Sequence, residues 1–243
     1  MAGSAEGLGG SASEPTSLVE LIRSRTQACP DQLAYRFLGE QAGDQVERTY
    51  EQLDRRIRGI AAHFQALDLE GQRALMFFPP GMDLIETFFA CLYARVIAIP
   101  CALPQEKRGL SRVRKVAEDA GTRVALTVSS FSSEMERQAA KLPELAEIRW
   151  LAADEIDASR HDDWVMPTLE RETLGYLQYT SGSTSSPKGV MVTHGNVLHN
   201  CSQMMSDWLL SESDVSMSWL PHFHDMGLLD GIILPLYLRC PGI

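Results

Sequence analysis

Apolar residues recur along the chain at two alternating spacings, one typical of amphipathic helices and the other of buried strands. Helical spacing predicts helices over residues 16–28, 50–67, 82–94 and 111–120. Short apolar runs predict strands over residues 73–78, 96–99, 124–128 and 174–179. Pro100 is expected to end the second of these strands. The alternation is typical of βαβ units, so we predict an α/β fold with mostly parallel sheets flanked by helices.

A run of small polar residues, TSGSTSSPKG at residues 180–189, directly follows the last of these strands. Residues 190–192 are again strand-like, and Thr193 can cap a helix over residues 194–205. In parallel α/β sheets, ligands bind at the carboxyl ends of the strands. The run therefore occupies the place where this fold class is expected to bind a ligand.

The residue types in this run are suited to binding phosphate. Six of its first seven residues carry a hydroxyl group, its glycines let the backbone approach a ligand closely, and Lys188 adds a positive charge. The run is not a Walker A loop, since Pro187 stands where that loop has glycine and Gly189 where it has Ser or Thr. Composition alone leaves a plain flexible loop as the other interpretation.

The charge of the whole chain and the charge around this run differ. The 243 residues carry a net charge of −10 and show no basic face, which argues against a nucleic-acid partner. Residues 173–206, however, are 34 residues without Asp or Glu. This gap lowers the repulsion that a triphosphate would meet. A buried strand and helix would also lack acids, but that alternative does not explain the hydroxyl groups beside Lys188.

The cysteines, the N-terminal segment and the most apolar stretch of the chain together predict a cytoplasmic protein. The five cysteines form no CxxC pair, so we expect reduced thiols rather than a disulfide or zinc framework. Residues 1–14 lack the basic and apolar regions of a secretory signal, and their Gly, Ser and Ala content predicts a flexible tail. The most apolar stretch, residues 84–103, is interrupted by Glu86, Arg95 and Pro100, so we expect no integral membrane segment.

Residues 176–197, YLQYTSGSTSSPKGVMVTHGNV, resemble the signature of the adenylate-forming superfamily, which includes acyl-CoA synthetases, fatty acyl-AMP ligases and nonribosomal peptide adenylation domains. The likeness continues in TYEQL at residues 49–53 and in LYARVIAIP at residues 92–100. SWLPHFHDMG at residues 218–227 looks most like fatty acyl-AMP ligases. Arg95 replaces a usual glycine, and if it takes a left-handed conformation it costs about 1 kcal/mol.

The resemblance implies an activity and a set of site residues. Such enzymes join a carboxylate to the α-phosphate of ATP and release pyrophosphate, and acyl-AMP ligases pass the acyl group to the phosphopantetheine thiol of an acyl carrier protein. By resemblance, the β- and γ-phosphates are held by Thr180, Ser181, Gly182, Ser183 and Thr184. Lys188 would screen the phosphate charge, and His224 would lie near the carboxylate of the fatty acid.

The resemblance also implies that residues 15–243 are the N-terminal portion of a longer, AMP-binding adenylation domain. The family's adenine-binding motif, its glutamate for Mg²⁺, its ribose-binding aspartate and its C-terminal domain with a catalytic lysine have no counterpart in these residues. We therefore expect the 243-residue chain alone to form no acyl adenylate. An acyl-CoA synthetase that uses CoA as acceptor, and a non-catalytic binding fragment of this fold, are the alternative interpretations. The sequence predicts no oligomeric state.

Several histidines near the site allow more than one interpretation. His222 and His224 alternate and would share one face of a strand, as metal ligands can, but no third ligand is evident. Zinc is therefore not favoured, and His222 is given no role. His194 and His199 follow the polar run, and we expect them to cap or pack a helix rather than to catalyse.

Three apolar residues of the same element also have two interpretations. Trp219, Phe223 and Met226 could line a tunnel for the acyl chain, or they could pack in the core. A hydrolase is not indicated, because the sequence contains no GxSxG motif.

Overall fold

The residues that the structure describes form a six-stranded sheet and a separate two-stranded hairpin. This computed structural model describes residues 14–39, 41, 43–104, 106–139, 147–180 and 187–243. The hairpin consists of β1 (Leu33–Leu38) and β2 (Gln45–Thr49). The strands of the sheet are β3 (Arg73–Phe77), β4 (Ile97–Cys101), β5 (Val124–Thr127), β6 (Arg149–Ala152), β7 (Leu174–Thr180) and β8 (Lys188–Thr193).

The strand order of the sheet is β6-β5-β3-β4-β7-β8, and every neighbouring pair except β7 and β8 is parallel. This arrangement confirms the predicted α/β fold with a mostly parallel sheet. Strand β7 lies between parallel β4 and antiparallel β8, so its carboxyl end reaches the same edge of the sheet as the ends of β3 and β4.

Helices cover both faces of the sheet. In chain order they are α1 (Leu18–Ala28), α2 (Tyr50–Ala66), α3 (Met82–Tyr93), α4 (Glu106–Ala120), α5 (Ser129–Ala139), α6 (His194–Asp207), α7 (Asp225–Leu228) and α8 (Leu234–Leu238). A π-helical turn over Leu229–Ile233 joins α7 to α8, and 3₁₀ turns over Ala153–Glu155 and Ala158–Asp163 follow β6.

Capping boxes set the starts of two helices that the sequence predicted. Thr49 Oγ1 accepts a 3.3 Å hydrogen bond from the Gln52 N–H, and the Gln52 side chain accepts a 3.1 Å bond from the Thr49 N–H. Thr193 and Asn196 form the same reciprocal pair at the start of α6, at 3.2 and 3.1 Å. Each box satisfies backbone donors that a helix start leaves free, so the predicted cap at Thr193 is confirmed.

The predicted strand end at Pro100 is wrong. Strand β4 continues to Cys101, and Pro100 lies opposite Met76 of β3. The pairing of β4 with β7 is confined to Ala98 and Tyr176. Pro100 therefore lies beyond the ladder on the β7 side, where its missing N–H leaves no strand partner unpaired.

The remaining differences from the sequence predictions concern where elements begin and which elements exist. Helix α4 begins at Glu106 rather than at residue 111. Strands β1, β2 and β6 and helices α5, α7 and α8 were not predicted, because these segments are short or mostly polar and show neither apolar period clearly. The predicted tail, residues 1–14, lies outside the described residues apart from Glu14.

Two apolar clusters lie on opposite faces of the sheet. Ala74 and Met76 of β3 belong to the cluster that includes α1, α2 and α3. The intervening Leu75 and Phe77 belong to the cluster that includes α4. Successive side chains of a strand point to opposite faces, and burial on both faces explains why the strands are continuous apolar runs in the sequence.

Glu86 interrupts the apolar sequence of α3, yet its side chain is buried. The carboxylate accepts hydrogen bonds from Arg48 at 2.7 Å and from Arg56 at 3.2 Å. Burial raises the pKa of Glu86 above its usual value, while Arg48 opposes this shift. Arg56 also donates to the carbonyl groups of Ala153 and Ile156, so the buried charge connects α2 and α3 to the segment after β6.

The cysteines and the helices were also compared with the requirements of disulfides and of membrane spans. All five cysteines are free thiols. Within the described part of the chain, no helix is both long enough and apolar enough to span a bilayer.

Arg95 adopts the left-handed conformation anticipated for the glycine it replaces. Its φ angle is 53°, and its carbonyl oxygen accepts a 2.9 Å hydrogen bond from the Gly71 N–H. The residue ends α3 and turns the chain into β4. A Cβ in this conformation is sterically unfavourable, so the position stores conformational strain.

We expect Arg95→Gly to raise the free energy of unfolding by about 1 kcal/mol, because glycine adopts this conformation without a Cβ clash. Urea denaturation of the chain measures the change. Arg95→Ala is the matched control, since it keeps the Cβ and removes only the exposed 2.8 Å ion pair with Glu70. An equal gain in stability for the two variants would contradict strain at this position.

Candidate functional site

Strands β7 and β8 form a hairpin at the edge of the sheet, and the polar run connects them in the chain. In the register of this hairpin, Thr180 lies opposite Lys188, and Tyr179 lies opposite Gly189. The structure therefore brings two predicted site residues, Thr180 and Lys188, side by side at the carboxyl end of β7. The other predicted phosphate-binding residues lie outside the described residues: Ser181, Gly182, Ser183 and Thr184.

Tyr179 fixes one face of this hairpin, and Gly189 makes room for it. A Cβ added to Gly189 would lie 3.0–3.2 Å from atoms of the Tyr179 side chain, tighter than ordinary van der Waals contact. The Tyr179 hydroxyl donates a 2.6 Å hydrogen bond to Asp119 of α4. Burial raises the pKa of Tyr179, as does Asp119, so the phenol keeps the proton that it donates.

A tight turn before α7 presents His224. The His224 N–H donates a 2.9 Å hydrogen bond to the Pro221 carbonyl, and the Leu228 N–H donates a 2.9 Å bond to the His224 carbonyl. A Cβ on Gly227 would lie 2.3 Å from the Pro221 carbonyl oxygen, so this close approach requires glycine. The geometry explains why a glycine follows the His-Asp-Met sequence.

Asp225 orients the imidazole of His224. Its Oδ1 lies 2.5 Å from His224 Nδ1 and also accepts a 2.9 Å hydrogen bond from the Met226 N–H. Because Nδ1 faces an acceptor, the hydrogen of a neutral imidazole resides on Nδ1, and Nε2 is left to meet a ligand. Both side chains are exposed at the surface, where a ligand can reach them.

One hydrogen bond joins the turn to the hairpin. Gln178 Nε2 donates at 3.0 Å to the carbonyl of Phe223, the residue before His224. The elements that carry Thr180, Lys188 and His224 are thus in direct contact. Gln178 was not among the predicted site residues, although an amide inside an otherwise apolar strand is a signal that could have identified it.

An apolar cleft with a volume of about 870 Å³ lies beside the same turn. Its walls come from β1, from the chain after β3 and β4, and from the segment before α7. The lining includes Phe37, Leu38, Phe78, Pro80, Leu84, Leu103, Met217, Trp219 and Phe223. The cleft therefore opens at the carboxyl ends of β3 and β4, where ligands bind in such sheets.

The structure distinguishes between the two interpretations, tunnel lining and core packing, for Trp219, Phe223 and Met226. Trp219 is 87% exposed and lines the cleft, so packing in the core does not explain it. Phe223 is half-buried and also lines the cleft. Met226 is exposed and is not among the residues that line it.

His222 lies between the cleft and a smaller cavity of about 40 Å³. Burial lowers the pKa of its imidazole, which favours the neutral form. Its Nδ1 has no hydrogen-bond partner among the described residues. No group of three or more His, Cys, Asp or Glu side chains in the described ranges is placed to hold a metal ion.

His194 packs inside the protein, whereas His199 is exposed on α6. His194 is 2% exposed, and its Nδ1 accepts a 3.3 Å hydrogen bond from the Leu18 N–H. Burial lowers the pKa of His194 to about 4. The neutral imidazole thus joins the start of α6 to the start of α1, which confirms the packing role predicted for it.

A family of known proteins and several of its members match this chain. The sequence profile of a family described as AMP-binding enzyme matches residues 22–241. The chain is 38% identical over 232 residues to the medium-chain fatty acid–acyl-carrier-protein ligase JamA of Moorena producens, covering 94% of this chain and 39% of the relative. It is 35% identical over 231 residues to a 4-hydroxyphenylalkanoate adenylyltransferase of Mycobacterium tuberculosis, covering 91% of this chain and 37% of the relative.

The fold is similar to that of solved adenylate ligases. A crystal structure of a fatty acyl-adenylate ligase from Legionella pneumophila, in complex with acyl adenylate and pyrophosphate, matches with a TM-score of 0.86 and 32% identity. The match covers 95% of this chain and 39% of that one. The chain thus spans well under half of the length of the relatives it matches.

Burial of His194 makes stability depend on pH. The pKa of His194 is about 4 in the folded chain against 6.5 for an ordinary histidine, so the unfolded chain binds this proton first as the pH falls. Between pH 6.5 and about 4, we expect this group to lower the free energy of unfolding by about 3 kcal/mol. Denaturant unfolding at several pH values measures the slope.

The matched control is His194→Asn, which keeps an acceptor for the Leu18 N–H and removes the titrating group. The difference in stability between the two proteins should shrink as the pH falls from 6.5. A difference that stays constant with pH would show that His194 does not titrate in this way.

Proposed function

Because this chain belongs to the AMP-binding enzyme family, we propose that the protein that carries it activates a fatty acid with ATP, giving acyl-AMP and pyrophosphate. The acyl group then passes to the phosphopantetheine thiol of an acyl carrier protein. The observation that carries this proposal is the pairing of Thr180 with Lys188 at the carboxyl end of β7, beside the turn that holds His224.

The reaction requires an anionic carboxylate to attack the α-phosphate of a polyanionic nucleotide. A carboxylate oxygen forms a bond to phosphorus, and the bond from phosphorus to the leaving pyrophosphate breaks. Electrostatic screening and positioning therefore supply most of the help that a protein can give. Lys188 is exposed, and no Asp or Glu occurs in residues 173–206, so its charge is not cancelled by acids nearby in the sequence.

The polar run supplies the remaining phosphate ligands in this proposal. Hydroxyl and backbone N–H groups donate hydrogen bonds to phosphate oxygens without adding charge. The donors are assigned to Thr180, Ser181, Gly182, Ser183 and Thr184. Lys188, opposite Thr180 in the hairpin, is assigned the role of screening the negative charge of the departing pyrophosphate.

In this proposal, His224 and the apolar cleft bind the fatty acid. The Nε2 atom of His224 is free of the contact that Asp225 makes with Nδ1, and in the imidazolium form it carries an N–H that can donate to the carboxylate. The cleft beside the turn has the apolar walls that a hydrocarbon chain needs, and Trp219 and Phe223 are part of them. Carboxylate and chain would thus occupy adjacent places along one segment.

Mg²⁺ accompanies ATP in this family, but the described residues offer no group of carboxylates to bind it. The residues that the structure describes therefore do not make a magnesium site, and no step is assigned to the ion. All the roles proposed above belong to hydrogen-bond donors, one cation and apolar walls.

The similarity to JamA, whose name specifies an acyl-carrier-protein acceptor, supports carrier protein rather than CoA as the acyl acceptor. The free cysteines support a cytoplasmic location, where thiols stay reduced. The test is exchange of labelled pyrophosphate into ATP by the protein that carries this chain, with and without a medium-chain fatty acid. Fatty-acid-dependent exchange supports the proposal, and its absence supports a non-catalytic binding fragment.

An acyl-transfer assay identifies whether acyl carrier protein or CoA is the acyl acceptor. Purified holo-acyl carrier protein and CoA are offered separately to the enzyme with ATP and the fatty acid. Acylation of the carrier protein alone is expected, and efficient formation of acyl-CoA would assign the protein to the acyl-CoA synthetases instead.

In the protein that carries this chain, we expect Lys188→Ala to lower kcat/KM for ATP by at least about tenfold, or about 1.4 kcal/mol of transition-state stabilisation. The change removes the cation assigned to the phosphates. Initial rates of pyrophosphate exchange at varied ATP concentrations measure it.

Arg137→Ala is the charge-matched control, because it removes an exposed cation from α5, which packs against β6 at the opposite edge of the sheet. Its kcat/KM for ATP should stay within about twofold of the unsubstituted value. Equal effects of the two substitutions would remove the role given to Lys188.

A further inference from the structure

We propose that Gln178 is a positioning residue that couples the phosphate hairpin to His224. The proposal rests on the function proposed above and goes beyond it, since it assigns a role to a residue outside the predicted site. Its basis is the 3.0 Å hydrogen bond that Gln178 Nε2 donates to the Phe223 carbonyl, across a sequence separation of 45 residues.

The position of Gln178 on β7 sets what it can reach. Alternate residues of a strand share a face, so Gln178 lies on the same face as Tyr176 and Thr180. Tyr176 packs edge-on against Phe88, within the apolar cluster of α1, α2 and α3. Leu177 lies in the other cluster. Gln178 and the start of the phosphate run therefore face the side of the sheet on which the turn with His224 lies.

The hydrogen bond acts on the peptide group that leads into His224. The Phe223 carbonyl and the His224 N–H belong to one planar peptide unit. Gln178 holds the carbonyl, and the Pro221 carbonyl accepts from the N–H at 2.9 Å. With both of its polar groups bonded, the unit has a fixed orientation, and so has the Cα that carries the imidazole.

A contribution to the stability of the sheet does not explain why position 178 carries a glutamine. The Oε1 atom of Gln178 is buried and has no hydrogen-bond partner among the described residues. Burying a polar atom without a partner costs free energy, which a leucine at the same position would avoid. What the amide provides, and leucine cannot, is the donor for the Phe223 carbonyl.

The opposite face of β7 offers a natural comparison. There the Tyr179 hydroxyl donates to Asp119, which fixes the strand to α4 rather than to the turn. Removing either side chain group deletes one hydrogen bond close to the phosphate run. Only the loss at Gln178 is expected to release His224.

The kinetic test uses Gln178→Leu in the protein that carries this chain. Because a displacement of about 1 Å can slow a positioned reaction by about 100-fold, we expect kcat for pyrophosphate exchange to fall by about tenfold or more. The KM for ATP should change by less than about twofold, since the phosphate run itself is intact. A loss confined to the KM for ATP would overturn the proposal.

A double-substitution cycle tests whether Gln178 acts through His224. If it does, Gln178→Leu should lower kcat by less than about twofold in a protein that already carries His224→Ala. Losses that simply multiply would show that the two residues act independently, and the proposal would fail. Thermal unfolding of each variant checks that all of them are folded.

The variant Gln178→Glu adds a readout that a purely structural role would not change. A protonated carboxyl can donate to the Phe223 carbonyl, whereas an ionised one cannot. Relative to the unsubstituted protein, its kcat should therefore be highest at low pH and decline as the pH rises through the pKa of the introduced group. A ratio independent of pH would contradict the proposed hydrogen bond.

A spectroscopic measurement on the 243-residue chain separates this proposal from the proposed function. Gln178→Leu should shift the amide and imidazole ¹H–¹⁵N resonances of His224, and Tyr179→Phe should leave them in place. Unshifted His224 resonances in Gln178→Leu would refute the coupling. If no fatty-acid-dependent exchange occurs but these shifts do, the proposed function fails and the coupling stands.

Discussion

The position of strand β7 is the constraint on which the rest of the site depends. Parallel pairing with β4 directs its carboxyl end to the ligand-binding edge, and antiparallel pairing with β8 brings Lys188 back opposite Thr180. The two faces of the strand are held by different parts of the chain, through Asp119 on one side and the Phe223 carbonyl on the other. The polar run that connects the two strands therefore starts from Thr180 and returns to Lys188 at positions that the sheet fixes.

Charge is distributed so that the acidic chain does not oppose this edge. Two carboxylates are buried on α2 and α3, and arginines neutralise both of them. Asp54 accepts from Arg23 and Arg58 at 2.5 and 2.9 Å, and Glu86 is paired in the same manner. Breaking such a buried pair is costly because it leaves a charge uncompensated. The stretch around the hairpin, residues 173–206, contains no Asp or Glu and therefore adds no repulsion of its own toward an anion.

The predictable features were those encoded within one turn of helix or one strand. The cap at Thr193, the left-handed residue at Arg95 and the apolar strands follow from local chemistry. Pro100 was misjudged because its effect depends on how far β7 pairs with β4, which is a tertiary matter. The bond from Gln178 to Phe223 and the cleft beside β1 join segments distant in sequence, and no local pattern specifies them.

Binding of a nucleotide's phosphates by the β7–β8 hairpin can be tested by titration of the ¹⁵N-labelled chain with ATP. Amide shifts should concentrate at Thr180, at Lys188 and in the residues between them, and they should weaken as salt screens the charge. Shifts concentrated elsewhere, such as in the cleft between α2 and β6, would contradict it.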